Sequence, residues 1–304
     1  MTTTSSATVA MPTGRGPGRR AMAFLHRHRR LQLALFLVLP LGWLGVIYLG
    51  SLGVLFISSF WSLNPLTSAI DHTFTLANYQ RILSTPVYRV IVLRTATVAA
   101  AVTITDIVLA FPIAYYMARV ARRRTRVVLL MLVALPLWSS YLVRVYAWRV
   151  ILGDNGPLDW AFGSIGLGGV APGYSDLSMW ITFSYLWLPY MILPLYAGFQ
   201  RLPTSLLEAS SDLGARTAFT FRRVVLPMVM PAVVAGSIFT FSLTLGDYIV
   251  PQLVSNSQFI GNVVYESQGV ANNVPFAAAF ATVPVLIMAV YLWAAGRLGA
   301  LEAL

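Results

Sequence analysis

Long apolar runs alternate along this chain with short polar interruptions that carry most of its arginines. Uninterrupted hydropathy predicts six spans, at 31–58, 92–117, 127–148, 178–199, 226–249 and 276–298. A helix of about 20 apolar residues crosses the hydrocarbon core of a bilayer, and each run is long enough. The first is too long and starts too late for a cleaved signal peptide, and no small-residue cleavage site follows it. Residues 1–20 are rich in Thr, Ser, Gly, Pro and Arg and read as disordered, and the basic tail extends to residue 30. The expected architecture is all-α: a polytopic transmembrane bundle of about six helices over 31–299, with a short C-terminal end at 300–304. Proline recurs in the spans, at Pro40, Pro112, Pro136, Pro189, Pro194, Pro227, Pro231 and Pro284. Each removes a backbone hydrogen bond and bends its helix, so the bundle is expected to be kinked.

Composition sharpens this picture. The 304 residues are 58% hydrophobic and 10% charged, against about 25% charged in a soluble domain. The formal charge of +11 comes from arginine alone, because the chain contains no lysine. On a soluble protein such a balance would suggest nucleic acid. Here the arginines gather at span ends, which makes them a topology signal, and no nucleic-acid partner is expected. One side carries sixteen: six in the tail, five between spans two and three (119–126), four between spans four and five, and Arg297. The other side carries four: Arg81, Arg89, Arg144 and Arg149. The positive-inside rule then places both termini of this multi-pass membrane protein in the cytoplasm. Without lysine there is no standard nucleotide-binding P-loop. Without cysteine there is neither disulfide nor thiolate chemistry.

One interruption differs from the rest. The stretch LLEASSDLGARTAFTFRRVVLP, residues 206–227, is polar for some twenty residues inside an otherwise apolar chain. Ser205 and Glu208 have the spacing of a capping box and predict a helix start. Gly214 predicts its left-handed end, and Thr217 opens a second helix running into span five. Ala209, Ser210, Ser211, Gly214 and Ala215 are small enough for another backbone to approach closely. Glu208 and Asp212 share a face at i and i+4, and Arg216, Arg222 and Arg223 surround the second half. An amphipathic connector on lipid headgroups would explain the arginines but not the small residues or the acid pair. A docking knob for a soluble partner explains both the small residues and the acid pair.

The residues Glu208-Ala209, Gly214 six positions after the glutamate, and Leu226-Pro227 resemble the "EAA" loop of membrane subunits of ATP-binding-cassette importers. Ser210 stands where that loop usually has alanine. The resemblance covers roughly residues 30–300 in span count, topology and loop placement. It implies that the loop at about 200–226 seats in a groove of an ATPase subunit, through Ser205, Glu208, Ala209, Ser210, Asp212, Gly214, Ala215 and Arg216. It also implies two ATPase subunits, a second homologous permease and an extracytoplasmic substrate-binding protein as partners. ATP and Mg would then lie on the ATPase, with no cofactor on this chain and no catalysis by it. LPLWSSYLVRVYAW (135–148), TLGDYIVPQLV (244–254), IGNVV (260–264) and PFAAA (275–279) further resemble the first permease of spermidine/putrescine-type systems. That similarity implies a polyamine or related small cation as substrate. Opines, thiamine and ferric iron, carried by relatives of that group, remain open.

Candidate path residues follow from the cost of charge in a membrane. Asp106 lies mid-span, where a carboxylate costs roughly 2.5–3.5 kcal/mol and so faces a cavity or a partner. It is either an anionic stop for a cation or one half of a helix–helix hydrogen bond. Asp247 and Tyr248 fall at the end of span five, and Trp138 and Tyr141 in the second half of span three. Carboxylates pair ammonium groups, and aromatic faces hold cations and cover methylenes. The alternative for the three aromatic residues is the ordinary interfacial belt. His26 and His28 sit in the basic tail, and no metal site is expected. An ion-driven secondary transporter, with Asp106 as relay, would call for inverted repeats, which are not seen. An intramembrane enzyme would need a catalytic set within the spans, yet His26, His28 and His72 all lie outside them.

Overall fold

The computed structural model describes residues 36–38, 40–64, 66–164, 166 and 171–297. The basic tail, the start of the first span and the C-terminal end at 300–304 lie outside the described residues. The chain divides into two units, Met1–Ile57 and Ser58–Leu304. The first contributes helix α1 (Phe36–Ser58), which is apolar all round with nearly every described side chain exposed. Such a helix suits lipid or a partner rather than water. A π-helical turn, Leu44–Leu49, lies about one turn beyond Pro40.

The second unit begins with a two-stranded antiparallel hairpin, β1 (Ser62–Leu63) and β2 (Ile70–Asp71), and a short helix α2 (Ala77–Ser84). The long helix α3 (Pro86–Val120) follows, ending in a π-helical turn at Tyr116–Val120. Arg126 closes that end: its Nε donates to the carbonyl of Met117 (3.0 Å) and its Nη2 to that of Ala118 (3.1 Å). Basic side chains on the free carbonyls of a helix end are favourable, so this arginine caps α3 as well as marking topology.

Helices α4 (Arg123–Trp138) and α5 (Tyr141–Leu152) with the short α6 (Pro157–Ser164) stand where a single kinked third span at 127–148 is expected. The chain bends by 98° between Trp138 and Tyr141. Ser139 supplies the reason: its backbone N–H and its hydroxyl both donate to the carbonyl of Pro136, at 3.2 and 2.7 Å. These local bonds replace the helical ladder, and Ser139 and Ser140 turn extended.

Helix α7 (Asp176–Arg201) forms the centre. It packs on α3 and on helix α9 (Thr217–Gly246), and these two pack on each other. Small residues set how closely α7 and α9 approach. A Cβ at Gly198 would lie 2.5 Å from Cβ of Ala232, and one at Gly236 would lie 2.6 Å from Sδ of Met191. Close approach through small residues is how membrane helices gain contact without a hydrophobic driving force between them. Among the described residues four helices, α1, α3, α9 and helix α12 (Val274–Arg297), are long and apolar enough to cross a membrane, and the bent pair of α4 with α5–α6 brings the number to five if it is counted as one span. The expected span at 178–199 coincides with α7, which falls short on composition because Ser, Thr, Tyr, Trp and Gln interrupt it. Much of its surface meets protein, so it needs less lipid-compatible surface.

Between α7 and α9 stands helix α8 (Thr204–Asp212). After α9 come two short helices, α10 (Ile249–Val254) and α11 (Ile260–Gly269), before α12. The expected span 226–249 is therefore shifted: its helix starts at Thr217 and stops at Gly246. Pro227 lies inside it, directly after a π-helical turn at Phe221–Val225. The wider turn gives room where the proline ring would crowd the carbonyl of Arg223.

Candidate functional site

The α8 hairpin is held at both ends. Pro203 precedes its first turn as N-cap, and no side chain caps it. The expected capping box is not formed, because Thr204 already occupies the first helical position and places Ser205 inside the helix, where its hydroxyl cannot reach the free N–H groups. The C-terminal end follows the expectation. Gly214 adopts φ +71°, its N–H donates to the carbonyl of Ser211 (2.8 Å), and that of Ala215 donates to the carbonyl of Ser210 (3.0 Å). This is the Schellman pattern, which favours glycine at the left-handed position. The Ser210 and Thr220 hydroxyls are 2.7 Å apart and tie α8 to the first turn of α9. Beneath, Leu207 packs against the buried cluster that includes Met117, Phe199, Leu202 and Val225, and Arg119 donates to the carbonyl of Leu202.

Ser205, Glu208, Ala209, Asp212, Gly214 and Arg216 are exposed on this hairpin, while Ser210 and Ala215 are half-buried. The structure adds an apolar component that sequence reasoning missed. Leu213 is 87% exposed at the tip, and Leu206 and Phe219 are exposed beside it. With Ala209, Ser210 and Arg216 they line an open groove. The signal was present in the sequence as Leu and Phe inside a polar stretch, but only the turn brings them to one face.

A second site lies at the far end of α9. Asp247 occupies the break between α9 and α10. Its Oδ1 accepts the backbone N–H groups of Ile249 (2.7 Å) and Val250 (3.0 Å), which caps α10. Its Oδ2 accepts the hydroxyl of Tyr141, the first residue of α5. The Tyr141 ring stacks on Trp187 of α7, centroids 5.9 Å apart and 10° from parallel. Tyr248 stacks on Tyr265 of α11 at 4.8 Å, and its carbonyl accepts from Asn262 (2.9 Å). The break is tight, since a Cβ at Gly261 would lie 2.7 Å from the carbonyl oxygen of Asp247. Tyr141, Trp187, Ser242, Asp247 and Tyr248 line a cavity of about 370 Å³. The backing is a buried core of Val102, Val145, Phe183, Val250 and Phe259.

Thus Tyr141, Asp247 and Tyr248 come together, but the other two path candidates do not join them. Trp138 is 93% exposed on the opposite side of the bend from Tyr141, so the break that brings Tyr141 inward turns Trp138 out. Trp187, which no sequence signal singled out, supplies the aromatic wall instead. Asp106 is fully buried between α3 and α7, beside Ser184. Both its carboxylate oxygens and the Ser184 hydroxyl lack hydrogen-bond partners. Among the described residues no group of three or more His, Cys, Asp or Glu could hold a metal ion.

A kinked helical bundle with a polar hairpin at one end of α9 and an acid–aromatic cavity at the other is an arrangement suited to a membrane transport subunit. The chain belongs to the family of binding-protein-dependent transport system inner membrane components, whose sequence profile matches residues 106–299. It is the membrane-spanning permease subunit of an importer of that type. It is 46% identical, over 96% of its length and 97% of the relative's, to the inner membrane ABC transporter permease protein YdcU of Escherichia coli (strain K12). It is 31% identical to the spermidine/putrescine transport system permease protein PotB of Haemophilus influenzae, over 72% of this chain and 77% of that one. The fold matches the crystal structure of a bacterial ABC transporter involved in the import of the acidic polysaccharide alginate. The TM-score is 0.68 at 14% identity, over 91% of this chain and 97% of that one.

Proposed function

We propose that this subunit passes a polyamine or a related small organic cation across the inner membrane. The observation that carries the reading is Asp247, a carboxylate in a cavity walled by Tyr141, Trp187 and Tyr248. A polyamine is a chain of ammonium groups joined by methylenes. The carboxylate pairs the charge, and the aromatic faces take both the cation and the methylenes. The spermidine/putrescine permeases among its relatives support the same substrate class.

In this reading residues 31–299 form the transport domain, and both termini and the α8 hairpin face the cytoplasm. The hairpin docks through Ser205, Glu208, Ala209, Ser210, Asp212, Gly214, Ala215 and Arg216 in one of two ATPase subunits, with Leu213 and Phe219 buried on docking. ATP and Mg belong to that ATPase, and this chain performs no bond chemistry. A second homologous permease completes the path, and an extracytoplasmic binding protein delivers the cation. Closure of the ATPase pair moves α8, and α9 carries the movement roughly 45 Å to Asp247 at 1.5 Å per helical residue.

Uptake by the assembled transporter in sealed vesicles tests this directly. ATP-dependent entry of labelled putrescine or spermidine, not displaced by thiamine, an opine or ferric iron, is the expected result. Uptake of one of those competitors alone would assign the subunit to that substrate instead. Glu208→Ala should leave ATP hydrolysis running while putrescine uptake falls, and fully coupled transport in that variant would remove the docking role.

A further inference from the structure

Asp247 is bonded on both oxygens, and the two sets of bonds are of different kinds. Oδ1 is committed to the backbone N–H groups of Ile249 and Val250, a cap that α10 cannot lose without fraying. Oδ2 is held by the Tyr141 hydroxyl, a neutral side-chain donor from another helix. Both bonds to a carboxylate are charge-assisted, but an ammonium ion adds a full opposite charge that the phenol lacks. The site therefore has one oxygen built into the fold and one open to exchange.

Arg144 bears on the same exchange. It lies three residues after Tyr141, so the two side chains share a face of α5. Its Nε and Nη1 atoms are buried without hydrogen-bond partners. Buried guanidinium donors left empty are costly, and a hydroxyl oxygen nearby would satisfy one of them. In the observed arrangement the Tyr141 hydroxyl is turned to Asp247 instead.

We infer that the Tyr141–Asp247 hydrogen bond is a latch that the cationic substrate opens, by taking Oδ2 while the Tyr141 hydroxyl passes to Arg144. The inference rests on the cation reading above and adds how arrival of the cation is registered. The latch joins the 98° bend before α5 to the end of α9, and α9 is the helix that begins in the hairpin. Opening it frees the two from each other at the cavity, and so biases the far end of α9 where the hairpin lies. The exchange makes and breaks only hydrogen bonds: an ammonium N–H replaces the phenol O–H on Oδ2, the freed O–H turns into the open cavity, and the phenol oxygen accepts from Arg144.

The test uses the assembled transporter in lipid nanodiscs, with putrescine as the probe and 1,4-butanediol as its uncharged counterpart. In the wild-type chain, putrescine should raise hydrogen–deuterium exchange at residues 141–146 and lower it at 247–250, and butanediol should do neither. Tyr141→Phe should lower the KM for putrescine by about threefold to tenfold, since the competing hydroxyl is gone. It should also raise ATP hydrolysis in the absence of substrate. Asp247→Asn should cut putrescine uptake by about tenfold or more, because a charged partner is lost. If Asp247→Asn transports putrescine normally, the cation reading fails and the latch with it. If that variant is impaired while Tyr141→Phe matches wild type in both KM and substrate-free hydrolysis, the cation reading stands and the latch is overturned. Should Tyr141→Phe fold poorly, wild-type exchange decides: no putrescine-induced change at 141–146 overturns the latch.

Discussion

The α8 hairpin and the Asp247 cavity sit at opposite ends of one helix and are built by opposite means. The hairpin is local. The seventeen consecutive residues 204–220 supply its helix, its Schellman end and its tie from Ser210 to Thr220, and most of its surface is exposed. The cavity is assembled from α5, α7, α9 and α10, with Tyr141 and Asp247 separated by 106 residues. The fold tolerates change at the tip of a local element because no other helix packs on it. An assembled one fails when any of its contributing backbones shifts.

Substitutions at two glycines should separate these cases most sharply. Gly261→Val puts a side chain against the carbonyls of Asp247 and Gly246, at 2.7 and 3.0 Å from its Cβ, with backbone rather than flexible side chain in the way. We expect a loss of about 1–3 kcal/mol, read as a fall of several degrees in the melting temperature of the purified subunit, together with loss of putrescine uptake. Equal stability to wild type would mean that the α9–α10 break is looser than described. Gly214→Val meets only open space, and its cost is the left-handed backbone alone, about 1–2 kcal/mol confined to the hairpin. Gly214→Asn should recover most of that, since asparagine tolerates this conformation; failure of the rescue would point to a contact rather than a torsion.

Two smaller effects sharpen the comparison. Ser210→Ala removes the tie to Thr220 and should cost about 1 kcal/mol, seen as faster amide exchange across 204–220 with transport still coupled. Loss of coupling would show that the tie itself transmits force. Trp138→Ala should change putrescine uptake by no more than about twofold, because the side chain is turned away from the cavity and surface substitutions rarely exceed 0.5 kcal/mol. A tenfold loss would return Trp138 to the path and contradict the bend.

The amino-acid pattern alone decided the class of protein, the helical bundle and the hairpin, down to Gly214 at its turn. These rest on hydropathy over about 20 residues and on local backbone chemistry, which contiguous sequence encodes. It erred where a local signal had an equally local competitor. Ser205 has the spacing of a cap but stands one residue inside the helix, and the apolar run 127–148 hides a break made by Ser139 bonding back to Pro136. Only the tertiary structure decided which aromatic residues accompany Asp247. Trp138 and Trp187 look alike in sequence, each near the middle of an expected span. The bend between α4 and α5 exposes the first, and the packing of α5 on α7 brings the second beneath Tyr141. Side-chain direction after a 98° turn depends on what the next helix packs against, and that information is distributed over residues far apart in the chain.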